Sequence, residues 1–104
     1  MIILSKQQIK YLRKKAQKEK ALFQVGKLGV TPVFIEQVDD AIEKREMVKF
    51  SILQNSDEEI DAAASNIAEA IGAVVVQTIG HTAILYRPSS KEKYQQLTQE
   101  LTNL

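Results

Sequence analysis

Apolar positions recur along this chain with two spacings, and the spacings divide it into helices and strands. Ile9, Leu12 and Ala16, at i, i+3 and i+7, form one narrow stripe of a helix predicted over residues 6–18. Phe34, Val38, Ala41 and Ile42 form the stripe of a second helix from Pro32 to about Arg45. Ile60, Ala63, Ala64, Ile67, Ala68 and Ile71 mark a third, whose many alanines on one face imply close approach to a sheet. Tyr94, Leu97 and Leu101 give the same spacing for a final helix. Between them, residues 22–25 form a short apolar run. Residues 47–53 alternate strictly, Val48, Phe50 and Ile52 against Lys49, Ser51 and Leu53, as in a strand with one buried face. Residues 73–79 are nearly unbroken and rich in β-branched side chains, the pattern of a central strand. Residues 82–87 form the last strand, ended by Pro88.

Cap and turn residues set the boundaries. Ser5-Lys6-Gln7-Gln8 is a capping box, with Leu4 and Ile9 placed for a hydrophobic staple. Thr31 is a good N-cap, and Pro32 suits the first helical position, where its missing N–H costs nothing. Ser56 to Glu59 and Ser89 to Glu92 read as two further capping boxes, and Gly72 as a C-terminal cap. Gly80-His81 is a two-residue turn, so the last two strands pair antiparallel, while helical crossovers favour parallel pairing of the earlier ones. The expected fold is therefore α/β: a mixed four-stranded sheet in the order α-β-α-β-α-β-β, plus a C-terminal helix. Residues 1–90 make one domain, and 91–104 are a helical extension of it.

Composition bounds this picture without changing it. At 104 residues, 44% hydrophobic and 26% charged, the chain suits a single globular domain that buries roughly two-thirds of its unfolded surface. No apolar run approaches the roughly 20 residues that span a bilayer, so no membrane partner and a cytoplasmic location are expected. The absence of cysteine removes disulfides, a thiolate nucleophile and thiolate metal ligands.

Charge does change the picture. The formal net charge is only +1, yet residues 1–20 hold Lys6, Lys10, Arg13, Lys14, Lys15, Lys18 and Lys20 against Glu19, a local +6. At about 100° per residue, Lys10, Lys14 and Lys18 lie opposite the apolar stripe, with Tyr11 and Lys15 beside them. A ring among cations suits nucleic acid, stacking on a base while lysines meet phosphates; a solvated face with an ordinary tyrosine fits as well. Gly26-Lys27-Leu28-Gly29 joins the first strand to the second helix. An anion drawn in by Lys27 would meet unpaired N–H groups there, or the glycines only make a tight turn. Glu36, Asp39, Asp40 and Glu43 spread around an exposed helix and read as solubilising charge rather than a metal site. His81, the sole histidine, reads as a solvated turn residue; with no nucleophile motif beside it, no enzyme, cofactor or metal is expected.

Taken in order, these pieces resemble small bacterial RNA-binding proteins of the YhbY type, the single-domain form of the CRM (chloroplast RNA splicing and ribosome maturation) domain. The resemblance spans about residues 4–89. It rests on Leu4-Ser5-Lys6-Gln7, Tyr11-Leu12-Arg13, Gly26-Lys27-Leu28-Gly29-Val30-Thr31, Glu46-Met47-Val48-Lys49-Phe50, Val76-Gln77-Thr78-Ile79-Gly80 and Leu85-Tyr86-Arg87-Pro88. It implies a fold like the C-terminal domain of translation initiation factor three and a glycine loop like that of KH domains, which clamp nucleotide backbone. It also implies non-enzymatic RNA binding and association with ribosomal RNA of the large-subunit precursor, with ribosomal proteins as further partners. The implied RNA surface comprises Gly26, Lys27, Leu28 and Gly29 with Lys6, Lys10, Tyr11, Arg13, Lys14, Lys18 and Lys20. A monomer with no small-molecule substrate is expected. Two departures stand out: His81 occupies a hairpin position where the family commonly has lysine, and the tail after Pro88 follows no family pattern. On the residues alone, a protein-interaction adaptor using the alanine-rich or last helix, and a duplex DNA binder, remain open.

Overall fold

In the computed structural model, which describes residues 2–104, the chain runs α1 (Lys6–Ala16), β1 (Phe23–Val25), α2 (Pro32–Arg45), β2 (Met47–Ile52), α3 (Ile60–Ile71), β3 (Val74–Ile79), β4 (Thr82–Tyr86), a 3-10 turn (Glu92–Tyr94) and α4 (Gln96–Thr102). The strands form one mixed sheet in the order β1-β2-β4-β3. β1 and β2 are parallel; β4 is antiparallel to both its neighbours. The expected α/β architecture is present.

The sheet separates two cores. On one face α2 and α3 bury Phe34, Val38, Ile42, Ala63, Ala64, Ile67 and Ala68 against Val25, Val48, Phe50, Ile52, Ala83 and Leu85. On the other, α1 and α4 bury Leu12, Ala16, Leu97 and Leu101 against Val76, Ile84 and Tyr86. The period-two pattern of β2 therefore sends Val48, Phe50 and Ile52 to the first core. Met47 packs against the second core, and Lys49 shares its side of the strand.

Four expectations about the elements and their caps are corrected. α1 stops at Ala16, which leaves Lys18 in the turn that follows. β3 is an edge strand, not a central one: helices cover both its faces, which explains its apolar run, while β4 takes the inner place. Ser56 does not cap α3, which begins at Ile60 behind Glu59 with no side-chain cap; the Ser56 hydroxyl instead accepts from the Glu58 N–H at 3.2 Å. Nor does Ser89 or Ser90 cap α4, which starts after a 3-10 turn that contains Tyr94.

Glu46 and Arg87 account for the last of these. Glu46 ends α2 in the left-handed conformation, φ 66°, and is fully buried. Its carboxylate accepts from the Ser89 N–H at 2.7 Å, the Thr98 N–H at 3.1 Å and the Thr98 hydroxyl. The tail is thus fastened by an acid within the body of the domain rather than by its own serines. Asp39 and Glu43 are not merely solubilising: both pair with Arg87, and Glu43 also accepts from Ser89 and Ser90. The Ser90 hydroxyl and N–H, ahead of Arg87, hold the Glu43 carboxyl below the usual range.

Candidate nucleic-acid interface

The glycine loop is held open by its two flanks. Phe34, in the first turn of α2, meets Phe23 of β1 and Phe50 of β2 edge-to-face, with ring centroids 6.0 and 6.1 Å apart. This aromatic row pins the strand before the loop to the helix after it. Thr31 caps α2 by accepting from the Phe34 N–H at 3.1 Å, as expected. Between these anchors the Gly29 N–H donates to the Gly26 carbonyl at 3.0 Å, and Gly29 adopts φ 71°, which favours glycine. Lys27 and Leu28 occupy the tip, and Leu28 is 88% exposed. Among the described residues nothing accepts from their backbone N–H groups, so the tip offers donors beside an ammonium.

One carboxylate already sits on this loop. Glu58 Oε1 accepts from the Val30 N–H at 3.3 Å, and a Cβ built on Gly29 would lie 2.7 Å from that oxygen. The φ of Gly29 calls for glycine, and a side chain there would also displace the end of the Glu58 side chain.

The basic residues of α1 divide into two groups. Lys6, Lys10, Arg13, Lys14 and Gln17 line a shallow groove along one flank with no acidic residue. A second groove of about 320 Å³ continues from it between Arg13, Gln17, Lys49, Gln77 and Thr82, again without an acid. On the other flank Lys15 pairs with Glu100 of α4, Nζ to Oε1 at 2.7 Å, and the Tyr11 hydroxyl donates to the same carboxylate. Tyr11 lies among Lys14, Lys15 and Lys18 as expected, with Lys15 Nζ 5.7 Å from its ring centroid, but it also packs against the second core and is tied to α4 through its hydroxyl. The hydrogen bond to Glu100 is the main cause that raises the Tyr11 hydroxyl and the Lys15 ammonium, while the Lys15 and Tyr11 hydrogen bonds hold Glu100 low. Lys18 and Lys20 are exposed beyond the end of α1, and Arg45 and Lys49 join Lys20 in a shallow cleft. Lys49 was not among the expected site residues. Its place opposite Val48 and Phe50 in the alternating strand was the available signal.

α1 and the loop do not share one layer. α1 covers the sheet face opposite α2 and α3, and the loop stands at the sheet end where β1 and β2 finish. The Ile52 N–H bonds the His81 carbonyl at 2.8 Å and the Leu53 N–H the Val25 carbonyl at 2.9 Å, so the β3–β4 turn lies at that same end. Exposed His81 is a turn residue, as expected. Among the described residues no group of three His, Cys, Asp or Glu converges to hold a metal ion, and no helix is long and apolar enough to cross a membrane.

Compared with known proteins, residues 4–87 match the model of the CRS1 / YhbY (CRM) domain. The chain belongs to the CRM domain family. This CRM domain is 40% identical to the Probable RNA-binding protein YqeI of Bacillus subtilis (strain 168) over 91 residues, 88% of this chain and 95% of the relative. It is 30% identical over 95 residues to an RNA-binding protein of Haemophilus influenzae, covering 91% and 96% of the two chains. Its fold matches the solution structure of the hypothetical protein SAV1595 from Staphylococcus aureus, a candidate RNA-binding protein. That match has a TM-score of 0.72 at 36% identity and covers 86% of this chain and 94% of the other. The family model covers α1 through β4 and ends where the Glu46-fastened tail begins.

Proposed function

We propose that this CRM domain is a non-enzymatic RNA-binding protein. The observation that carries the reading is the pairing of a glycine loop that presents free N–H donors beside Lys27 with an acid-free cationic flank on α1. Phosphate contacts of this kind position RNA without reading its sequence. The relatives' names as RNA-binding proteins support it. Against the adaptor alternative, the apolar faces of its two helices are already occupied within the domain: α3 buries Ala63, Ala64 and Ala68 on the sheet, and α4 buries Leu97 and Leu101 against α1 and the sheet.

The RNA in this reading is ribosomal RNA of the large-subunit precursor, bound during assembly in the cytoplasm, with ribosomal proteins as neighbours. The YhbY-type motifs of the sequence support that destination. Two experiments test the proposal in turn. A generic single-stranded RNA should shift in a gel at low salt, and changing Lys10, Lys14 and Lys18 together to glutamate should abolish the shift; an unaffected shift would refute the α1 surface. Crosslinking in cells, followed by mapping of the attached nucleotides, should enrich large-subunit ribosomal RNA precursors. Enrichment of transfer RNA or messenger RNA instead would overturn the assembly role.

A further inference from the structure

α1 covers only part of its sheet face, and the part left open lies toward the glycine loop. The strand registers place Gln24 opposite Ser51, Ser51 opposite Thr82, and Thr82 opposite Ile79, one row across all four strands. Thr82 lies two residues before Ile84, which is buried beneath α1, so the row faces the α1 side. Gln24 and Ile79 are exposed, Ser51 and Thr82 half-buried. Three interstrand spacings make the row about 14 Å long. Gln24 stands two residues before Gly26, so one end of the row meets the loop.

The other end opens into the groove beside Arg13. Lys49 Nζ donates to the Ala16 and Glu19 carbonyls at 3.4 and 3.2 Å, which fixes a positive charge beneath the end of α1. With the Gln77 amide oriented so that its oxygen faces Arg13, it accepts from Nε at 2.9 Å and Nη2 at 2.8 Å. That pair holds the guanidinium plane still, and a planar guanidinium is a stacking surface for a base.

On the basis of the RNA-binding reading, we infer that one RNA strand crosses this open strip of sheet between α1 and the glycine loop, with an unpaired base lodged in the groove against Arg13. Charge complementarity favours that occupant, since two cations and no carboxylate line the groove. The uncharged amide and hydroxyls of Gln24, Ser51 and Thr82 suit ribose and phosphate oxygens. The apolar side chains of the groove, Ala16, Ile79 and Ile84, suit the face of a base, while the rest of the row, Gln24, Ser51 and Thr82, is polar, unlike the apolar centre a protein partner would want.

Titration of the 15N-labelled protein with an eight-nucleotide oligouridylate at low salt tests the path. The amides of Gln24, Ser51 and Thr82 and the Arg13 Nε–H should shift together with those of Lys27 and Leu28. Shifts in the loop and α1 with a silent row would overturn the path and leave the RNA-binding reading standing; no shift anywhere would overturn both. Thr82→Glu should weaken the oligonucleotide about tenfold with an unchanged urea midpoint. Gln77→Glu, which neutralises Arg13 in nearly the same shape, should weaken it several-fold and guards against misfolding of the first variant. Wild-type affinity in both folded variants would overturn the path.

Discussion

Glu58→Gln should tighten RNA binding, because the Glu58 carboxylate lies on the surface a phosphate would approach. Its Oε1 accepts from the Val30 N–H at 3.3 Å and lies against Gly29, beside the free donors of Lys27 and Leu28. A phosphate taken up by those donors would bring its charge to about 6 Å from the carboxylate; Coulomb repulsion there is about 0.7 kcal/mol in bulk water and about 1.4 at half that dielectric constant. The glutamine carbonyl still accepts from Val30, so the loop keeps its hydrogen bond and only the charge is removed. A gain of about 1 kcal/mol corresponds to roughly fivefold tighter binding. Fluorescence anisotropy of a labelled single-stranded RNA measures it, first at about 50 mM salt and then at about 150 mM, where the Debye length falls to about 8 Å and the gain should shrink. A folded glutamine variant that binds as the parent does, or more weakly, would refute a phosphate at this loop. The reasoning would fail equally if the gain were indifferent to salt.

Lys27→Ala should make the slope of log affinity against log salt shallower by about 1, read from binding isotherms at four or more salt concentrations. Glu46→Ala should cost about 2–5 kcal/mol in urea unfolding, because it leaves the buried N–H group of Ser89 and the half-buried one of Thr98 without an acceptor. Hydrogen exchange should then show α4 opening first. The tie between α1 and α4 should fail at both extremes of pH. Glu100 is held below its ordinary 4.5, so its contribution is complete above 4.5 and lost as pH falls through the lowered value. Lys15 is held above its ordinary 10.5, so its contribution is complete below 10.5 and lost as pH rises through the raised value. Tyr11→Phe with Glu100→Gln should flatten the acid limb of a stability profile; an unaltered limb would place the titrating groups elsewhere.

What was legible in the chain was what neighbouring residues decide. α2 runs from Pro32 to Arg45 as read, because Thr31 and Pro32 fix its start by chemistry within one turn. The alternation in β2 gave the buried face of that strand for the same reason. Apart from the local end of α1, the features that neighbouring residues do not decide involve a partner far along the chain. Glu58 stands in a sequence that suits a capping box, yet its carboxylate serves Val30, 28 residues away. Nothing beside Glu46 in the sequence marks it as buried, since the N–H donors its carboxylate accepts from lie 43 and 52 residues on. The run at β3 reported that both faces are covered, and it is helices, α3 and α1, that cover them; apolar composition says nothing about which strands lie beside it.

The same division runs through the candidate site and narrows it. Periodicity located every cation on α1 but not which of them a distant acid neutralises. Glu100, 85 residues from Lys15, pairs with Lys15 and Tyr11 while both stay partly exposed, and leaves the flank of Lys6, Lys10, Arg13 and Lys14 without a carboxylate. Gln77 and Lys49, drawn from two strands, then extend that flank over the sheet toward the loop. The basic helix is one-sided in space, with its acid-free side opening onto the strip of sheet inferred to lead to Gly26.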